Sequence, residues 1–165
     1  MPYQMKVDGM EEISAALDQL EKNAASAAAQ GLYEGAGVMA DEVNKAAAAI
    51  RTEPFKYAAR GARRLPSPEE KDIVTAAAAG IAKFNTDGTE IDTSVGFRNA
   101  GYAELDGRIK PIPVIVNSIN SGTSFMKKQP FIRKAANSGG EKAIKAMKGK
   151  IEEILEEYLQ AMSKI

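Results

Sequence analysis

The chain has 165 residues with balanced charge, 22 basic against 22 acidic, and it contains no Cys, His or Trp. This composition excludes zinc sites built from Cys and His, thiol nucleophiles, Ser-His-Asp triads and disulfides. Hydrophobic residues reach 44%, but 28 are Ala while Leu, Ile, Val and Phe together number 33, which predicts a helix-rich, thinly cored protein of extended shape.

The length fits one domain, and we expect a single domain over 1–165. The first residues, MPYQMKVDGM, lack the basic and apolar regions of a signal peptide. No apolar run approaches the roughly 18 residues that a membrane span needs. We therefore expect a soluble protein that is made in a cytoplasm and has no membrane partner.

The first predicted element is a long helix over residues 11–51, where larger apolar residues recur at helical spacing among many Ala. Such a helix is roughly 60 Å long. Its middle, residues 24–37, carries small side chains almost throughout, including Gly31 and Gly35. Gly costs about 1 kcal/mol relative to Ala in a helix. Two interpretations stay open: the helix bends or breaks there, or small side chains allow another helix to approach closely.

Gly35, Gly37 and Ala40 also fit the relaxed dinucleotide-binding pattern G-x-G-x-x-A. That pattern needs a preceding strand, so that a phosphate meets the N-terminus of a helix, whereas the residues before Gly35 are helical. We therefore prefer the structural interpretation. Most carboxylates are neighbours on helix surfaces, and no motif places an acid, base or nucleophile, so we expect no enzyme activity and no catalytic, cofactor or metal site.

A loop rich in Pro and Arg follows at 52–66. Its cations, with the residue before it, form a candidate basic loop: Arg51, Lys56, Arg60, Arg63 and Arg64. A short helix is predicted over 67–79. Ser67 suits its N-cap, Pro68 its first helical position and Glu70 the capping-box site.

A β-hairpin or small sheet is predicted over 81–106. Asn85-Thr86-Asp87-Gly88 is strong turn chemistry. Four residues of the following strand alternate onto one face: Ile91, Thr93, Val95 and Phe97. The apolar run after Pro111 also fits a strand, but Pro in the first turn favours a short helix over 111–120.

A polar loop at 121–129 leads to a second long amphipathic helix over 130–163. Its segment 137–140, Asn-Ser-Gly-Gly, is a candidate break. The predicted fold class is therefore α+β, with two long terminal α-helices around a small antiparallel β-sheet and short additional helices.

Charge is distributed unevenly along the chain. Residues 107–150 contain ten basic residues and one acidic residue, whereas the first helix and the final turns lean acidic. This separation fits a nucleic-acid surface. It equally fits a basic face on one copy that meets an acidic face on the next copy.

Several short motifs follow one another along the chain. They are Val7-Asp8-Gly9-Met10, then Asn117 with Ser121-Gly122-Thr123, and then Gln129-Pro130-Phe131-Ile132-Arg133-Lys134-Ala135. In this order, around a long Ala-rich helix and a central hairpin, they resemble a family of tailed-phage minor structural proteins. These are the neck or tail-completion components encoded between head and tail genes. The Arg-rich segment 54–68 and Asn120 depart from the family pattern.

The resemblance implies a non-enzymatic virion protein of the head–tail junction or upper tail, assembled in the host cytoplasm. Its implied partners are copies of itself in a ring, neighbouring connector, tail-tube or tail-terminator proteins, and DNA in the channel. The alternative is a nucleic-acid-binding accessory protein that uses the basic region 107–150.

The candidate assembly residues lie in and around the Gly-Thr and Pro-Phe motifs: Gly122, Thr123, Phe125, Lys127, Lys128, Pro130, Phe131 and Arg133. We expect Phe131 to anchor the start of the last helix on the sheet. We expect Gly122 to support a tight approach into the loop at 124–129.

Overall fold

Two long antiparallel helices form the frame of the molecule. A computed structural model of the chain describes residues 10–54, 61–87 and 90–164. The first helix, α1 (Met10–Ala48), lies along the last helix, α4 (Phe131–Ser163). Residues 31 and 35 of α1 face residues 151 and 147 of α4, so the two helices run in opposite directions. At 1.5 Å per residue they are about 58 and 50 Å long.

Glycines allow α1 and α4 to approach closely. A Cβ atom on Gly31 would lie 2.5 Å from Ile151 Cγ1. One on Gly35 would overlap Met147 Cγ and lie 3.1 Å from the carbonyl oxygen of Ala143. Because α1 is continuous through this segment, close packing, and not a bend, is the correct one of the two interpretations.

The predicted break at 137–140 is wrong, because α4 is continuous there. A Cβ atom on Gly139 would lie 2.8 Å from Glu42 Cγ of α1, so this glycine also makes room for the other helix. Ser138 donates to Glu42 Oε2 at 3.1 Å, and Lys142 Nζ lies 2.9 Å from Glu42 Oε1. The contact with α1 therefore accounts for the glycine that suggested a helix end.

Short elements lie between the long helices. They are α2 (Pro68–Ala77), the paired strands β1 (Gly80–Ile81) with β4 (Val95–Gly96) and β2 (Asn85–Thr86) with β3 (Ile91–Asp92), the hairpin of β5 (Tyr102–Leu105) and β6 (Arg108–Pro111), and α3 (Ile112–Ser121). All three strand pairs are antiparallel. The α+β class is confirmed, but the β region continues to Pro111, past the predicted end at residue 106. Asp106 and Gly107 have φ of +54° and +71°, the left-handed backbone that a tight hairpin turn requires.

Local signals gave the short helices correctly. The capping box is confirmed, since Ser67 Oγ accepts from Glu70 N at 3.2 Å and Glu70 Oε2 accepts from Ser67 N at 2.8 Å. Helix α3 is also confirmed, and its apolar face is buried: Ile112, Ile115, Val116 and Ile119. Two helices end slightly early, α1 at Ala48 and not at residue 51, and α2 at Ala77 and not at residue 79.

The apolar core lies at one end of the helix pair, where the last turns of α1 meet α2, α3 and the start of α4. Its larger members include Val43, Ile50, Val74, Phe97, Leu105, Ile119, Met126 and Phe131. Phe131 is buried against Phe97, with the rings edge to face and their centroids 6.2 Å apart. Phe131 thus anchors α4 on the hairpin, as the sequence indicated. None of the helices in the described ranges has the length and apolar character needed to cross a bilayer.

The close packing of α1 and α4 makes a prediction about glycine substitutions. Gly35→Ala should lower the free energy of unfolding by about 1 to 3 kcal/mol, because its methyl group overpacks against Met147 and the Ala143 carbonyl. Gly37→Ala, in the same helix with no atom within 4 Å of its Cβ position, should raise it by up to about 1 kcal/mol through helix propensity. Urea denaturation of both variants tests this. Equal effects at the two positions would contradict the packing account.

Candidate assembly interface

The Arg-rich loop and the loop before α4 lie side by side. Arg64 N donates to the Phe125 carbonyl at 2.9 Å, and Lys127 N donates to the Arg64 carbonyl at 2.8 Å. Arg64 and Met126 thereby form a parallel bridge, and the Met126 side chain is buried beneath it. Two basic segments that are far apart in sequence therefore meet at the core end of the helix pair.

Gln129 joins the same loops to the end of α1. Its side-chain oxygen accepts from Arg51 N at 3.0 Å, and its side-chain nitrogen donates to the Arg51 carbonyl at 2.8 Å. Its backbone N donates to the Ile119 carbonyl of α3 at 2.8 Å. A single residue thus fixes the end of α1, α3 and the start of α4 relative to one another.

The turn after α3 needs a glycine. Gly122 has φ of +77°, and a Cβ atom there would lie 2.9 Å from Lys128 Cβ and 3.0 Å from Lys128 N. Thr123 Oγ1 accepts from Met126 N at 3.0 Å and closes the loop from within. Gly122 therefore supports the tight approach that the sequence indicated.

Arg64 corrects the predicted basic loop, because its charge is used inside the molecule. Its guanidinium donates to both Glu70 oxygens, at 2.7 and 2.9 Å, and the two side chains are only 13% and 8% exposed. Burial raises the pKa of Glu70, but the hydrogen bonds from Arg64 and Ser67 outweigh it and hold that pKa below its usual value. Arg64 is therefore not part of an open cationic surface. Lys56 and Arg60 lie outside the described residues.

Other cations of both segments lie on the surface around Phe125, which is 58% exposed. Together they form a surface that we call the basic end: Arg51, Arg63, Phe125, Lys127, Lys128, Arg133 and Lys134. Of the remaining predicted interface residues, Gly122, Thr123 and Pro130 are partly buried and Phe131 is buried. Their contacts shape the loop from within, whereas the exposed members are available to a partner.

The opposite end of the helix pair is acidic and apolar, and sequence reasoning missed it as a site. Residues 151–163 of α4 contain four acidic and no basic residues, and residues 10–30 of α1 contain four acidic residues and one basic residue. We call these two segments the acidic end. Four large apolar side chains are exposed there: Leu17 (59%), Leu20 (44%), Leu159 (61%) and Met162 (48%). An antiparallel register of the two helices, read from their glycines, would have placed these residues together.

Comparison of the chain with protein-family models, with curated proteins and with solved structures finds no match. Within the described ranges, no group of three or more acidic side chains is arranged to hold a metal ion. Every buried polar side-chain atom in those ranges has a hydrogen-bond partner. The candidate site rests on the geometry and charge of the two ends.

The buried ion pair makes a prediction about stability. Glu70→Gln should lower the free energy of unfolding by about 2 to 3 kcal/mol at neutral pH, because Arg64 keeps its burial and loses its counter-charge. Because the folded-state pKa of Glu70 is lowered, its ionised form stabilises the fold above its unfolded pKa. That stabilisation disappears as the pH falls through the folded pKa.

Denaturation of wild type and Glu70→Gln across this acid range measures the effect. The gap between the two proteins should be full at neutral pH and shrink on acidification. Asp72→Asn, at an exposed carboxylate of the same helix, is the control and should change stability by less than about 0.5 kcal/mol. A gap that does not change with pH would contradict the role given to Glu70.

Proposed function

We propose that the chain is a structural protein of the tailed-phage neck or tail-completion ring, which joins the tail to the head by assembling with copies of itself. The order of motifs that resembles that family supports the proposal. The observation that carries it is the pair of exposed ends, where large apolar side chains are set among charges of opposite sign.

The position of the core gives a physical reason for association. The main apolar cluster lies at the basic end, whereas Leu17, Leu20, Leu159 and Met162 lie on the surface at the acidic end. Burial of one such side chain contributes roughly 1.5 to 3 kcal/mol. Contiguous exposed apolar groups commonly mark an interaction surface. Contact with a neighbour removes this surface from water and stabilises the fold by mass action.

Unlike ends suit a ring. A contact between two different surfaces of identical copies is heterologous, and it closes into a ring when the rotation between copies allows closure. Opposite charges give the contact its direction and disfavour like-to-like pairing. In the virion, neighbouring neck or tail-tube proteins would cover the faces of the ring, and DNA would cross its channel.

Native mass spectrometry and negative-stain imaging test this function. The protein, alone or mixed with the neck and tail-tube proteins encoded beside it, should form rings or defined complexes. Association should strengthen with concentration, because the interface is completed only between chains. A protein that stays monomeric at all concentrations and binds none of those virion proteins would rule the function out.

Nucleic-acid binding is the second candidate, and the placement of Arg51 and Arg63 beside Lys127 and Lys128 favours it. Neutralised phosphates release counterions, so affinity for duplex DNA should fall at least tenfold between low and moderate salt if several of these cations make contact. Fluorescence anisotropy with a labelled duplex measures this. Affinity that barely changes with salt would eliminate the candidate.

A further inference from the structure

We propose, resting on the assembly function above, that the acidic end of one copy docks on the basic end of the next copy, with Phe125 at the centre of the contact. The occupant of the exposed apolar face at the acidic end is therefore a second copy of this chain. The contact pairs Leu159 and Met162, with Leu17 and Leu20 beside them, with Phe125 and its ring of cations.

Charge complementarity is the first argument. The last turns of α4 contain Glu152, Glu153, Glu156 and Glu157 and no cation before Lys164. Of these, Glu153 is paired with Lys150 at 3.1 Å within its own helix. The basic end offers six exposed cations, because Arg64 is withdrawn into its pair with Glu70. Each end presents the charge that the other lacks.

The apolar side chains supply the second argument. Specific interfaces have an apolar core and a charged rim, and aromatic anchors carry much of their energy. Phe125 projects from a loop that Thr123, Gly122 and the Arg64 bridge hold in one shape, so little freedom is lost when it binds. Leu159 and Met162 provide an apolar counterpart surrounded by acids.

A polyanion such as DNA is the competing occupant of the basic end. It would match the cations but would leave the acidic end, with its four exposed apolar side chains, uncovered. The aromatic side chains that stack bases are represented among the basic end by Phe125 alone. A second copy covers both ends with one kind of contact, so the observations favour it.

The contact must join separate chains. The two ends are separated by most of α4, whose 33 residues span about 50 Å. Each copy carries one end of each kind, so the contact propagates head to tail into a ring, or closes an antiparallel pair that uses it twice. Both products follow from the same two surfaces.

Charge reversal on one end at a time tests the contact. The acidic-end variant is Glu156→Lys with Glu157→Lys, in the last turns of α4, where cations suit the helix C-terminus. The basic-end variant is Lys127→Glu with Arg133→Glu, at two exposed side chains, and an acid at residue 133 suits the first turn of α4. Neither change weakens the fold, so lost association would report the surface. Circular dichroism checks that both variants are helical.

Sedimentation velocity at low salt should show that each variant alone self-associates at least about tenfold more weakly than wild type, because like charges then face each other. An equimolar mixture should regain wild-type association, since every contact in an alternating assembly again joins opposite charges. Lys145→Glu with Lys148→Glu, exposed on the middle of α4, carries the same charge change away from both ends. It should associate like wild type.

Contrary results overturn the contact in distinguishable ways. Variants that associate like wild type, or mixtures that fail to regain association, reject the contact while rings of the wild type would keep the proposed function. A basic-end variant that still self-associates but loses duplex DNA binding gives the surface to DNA and rejects the contact. Rescue that yields only closed pairs supports the contact and rejects the ring. A wild type that never associates rejects both.

Discussion

The close approach of α1 and α4 is the constraint on which the rest of the structure depends. Gly31, Gly35 and Gly139 leave no room for a Cβ atom at the contact, so two helices of 39 and 33 residues pack along most of their length with few large side chains. This explains a composition rich in Ala and poor in larger apolar residues. The helix pair keeps the two charged ends of the molecule apart.

Polar links complete the basic end, where loops and not helices carry the exposed cations. The Arg64–Glu70 pair and the amide of Gln129 on Arg51 hold the two loops against α1 and α2. Burying an ion pair gives little net stability in itself, but removing one partner is costly. The pair therefore acts mainly to fix one arrangement of the loops and, through it, the position of Phe125.

Sequence reasoning succeeded where the signals are local. The capping box of Ser67 and Glu70, the helix after Pro111 and the turn chemistry near Asn85 all depend on residues within a few positions of one another. It failed where the answer depends on a distant partner. Gly139 has the same local preference whether it ends a helix or faces Glu42, so 137–140 was wrongly read as a candidate break.

The candidate site shows the same division. Lys127, Lys128 and Arg133 were identified from charge density and lie on the surface. Arg64 was grouped with them because its ion pair forms only when the loop folds back onto α2. The acidic end was missed because helical periodicity is the same whether an apolar stripe packs on its own chain or on another. Leu159 and Met162 fit the amphipathic pattern, yet they are exposed.

The central claim is that the opposite ends of the helix pair meet between copies. Zero-length carbodiimide crosslinking of an equimolar mixture of ¹⁵N-labelled and unlabelled protein, read by mass spectrometry, tests it most directly. We expect mixed-isotope crosslinks between Lys127 or Lys128 and Glu156 or Glu157, pairs that lie roughly 40 Å apart within one chain by the length of α4. Crosslinks confined to contacts within one chain, such as Lys142 with Glu42 and Lys150 with Glu153, would contradict the account.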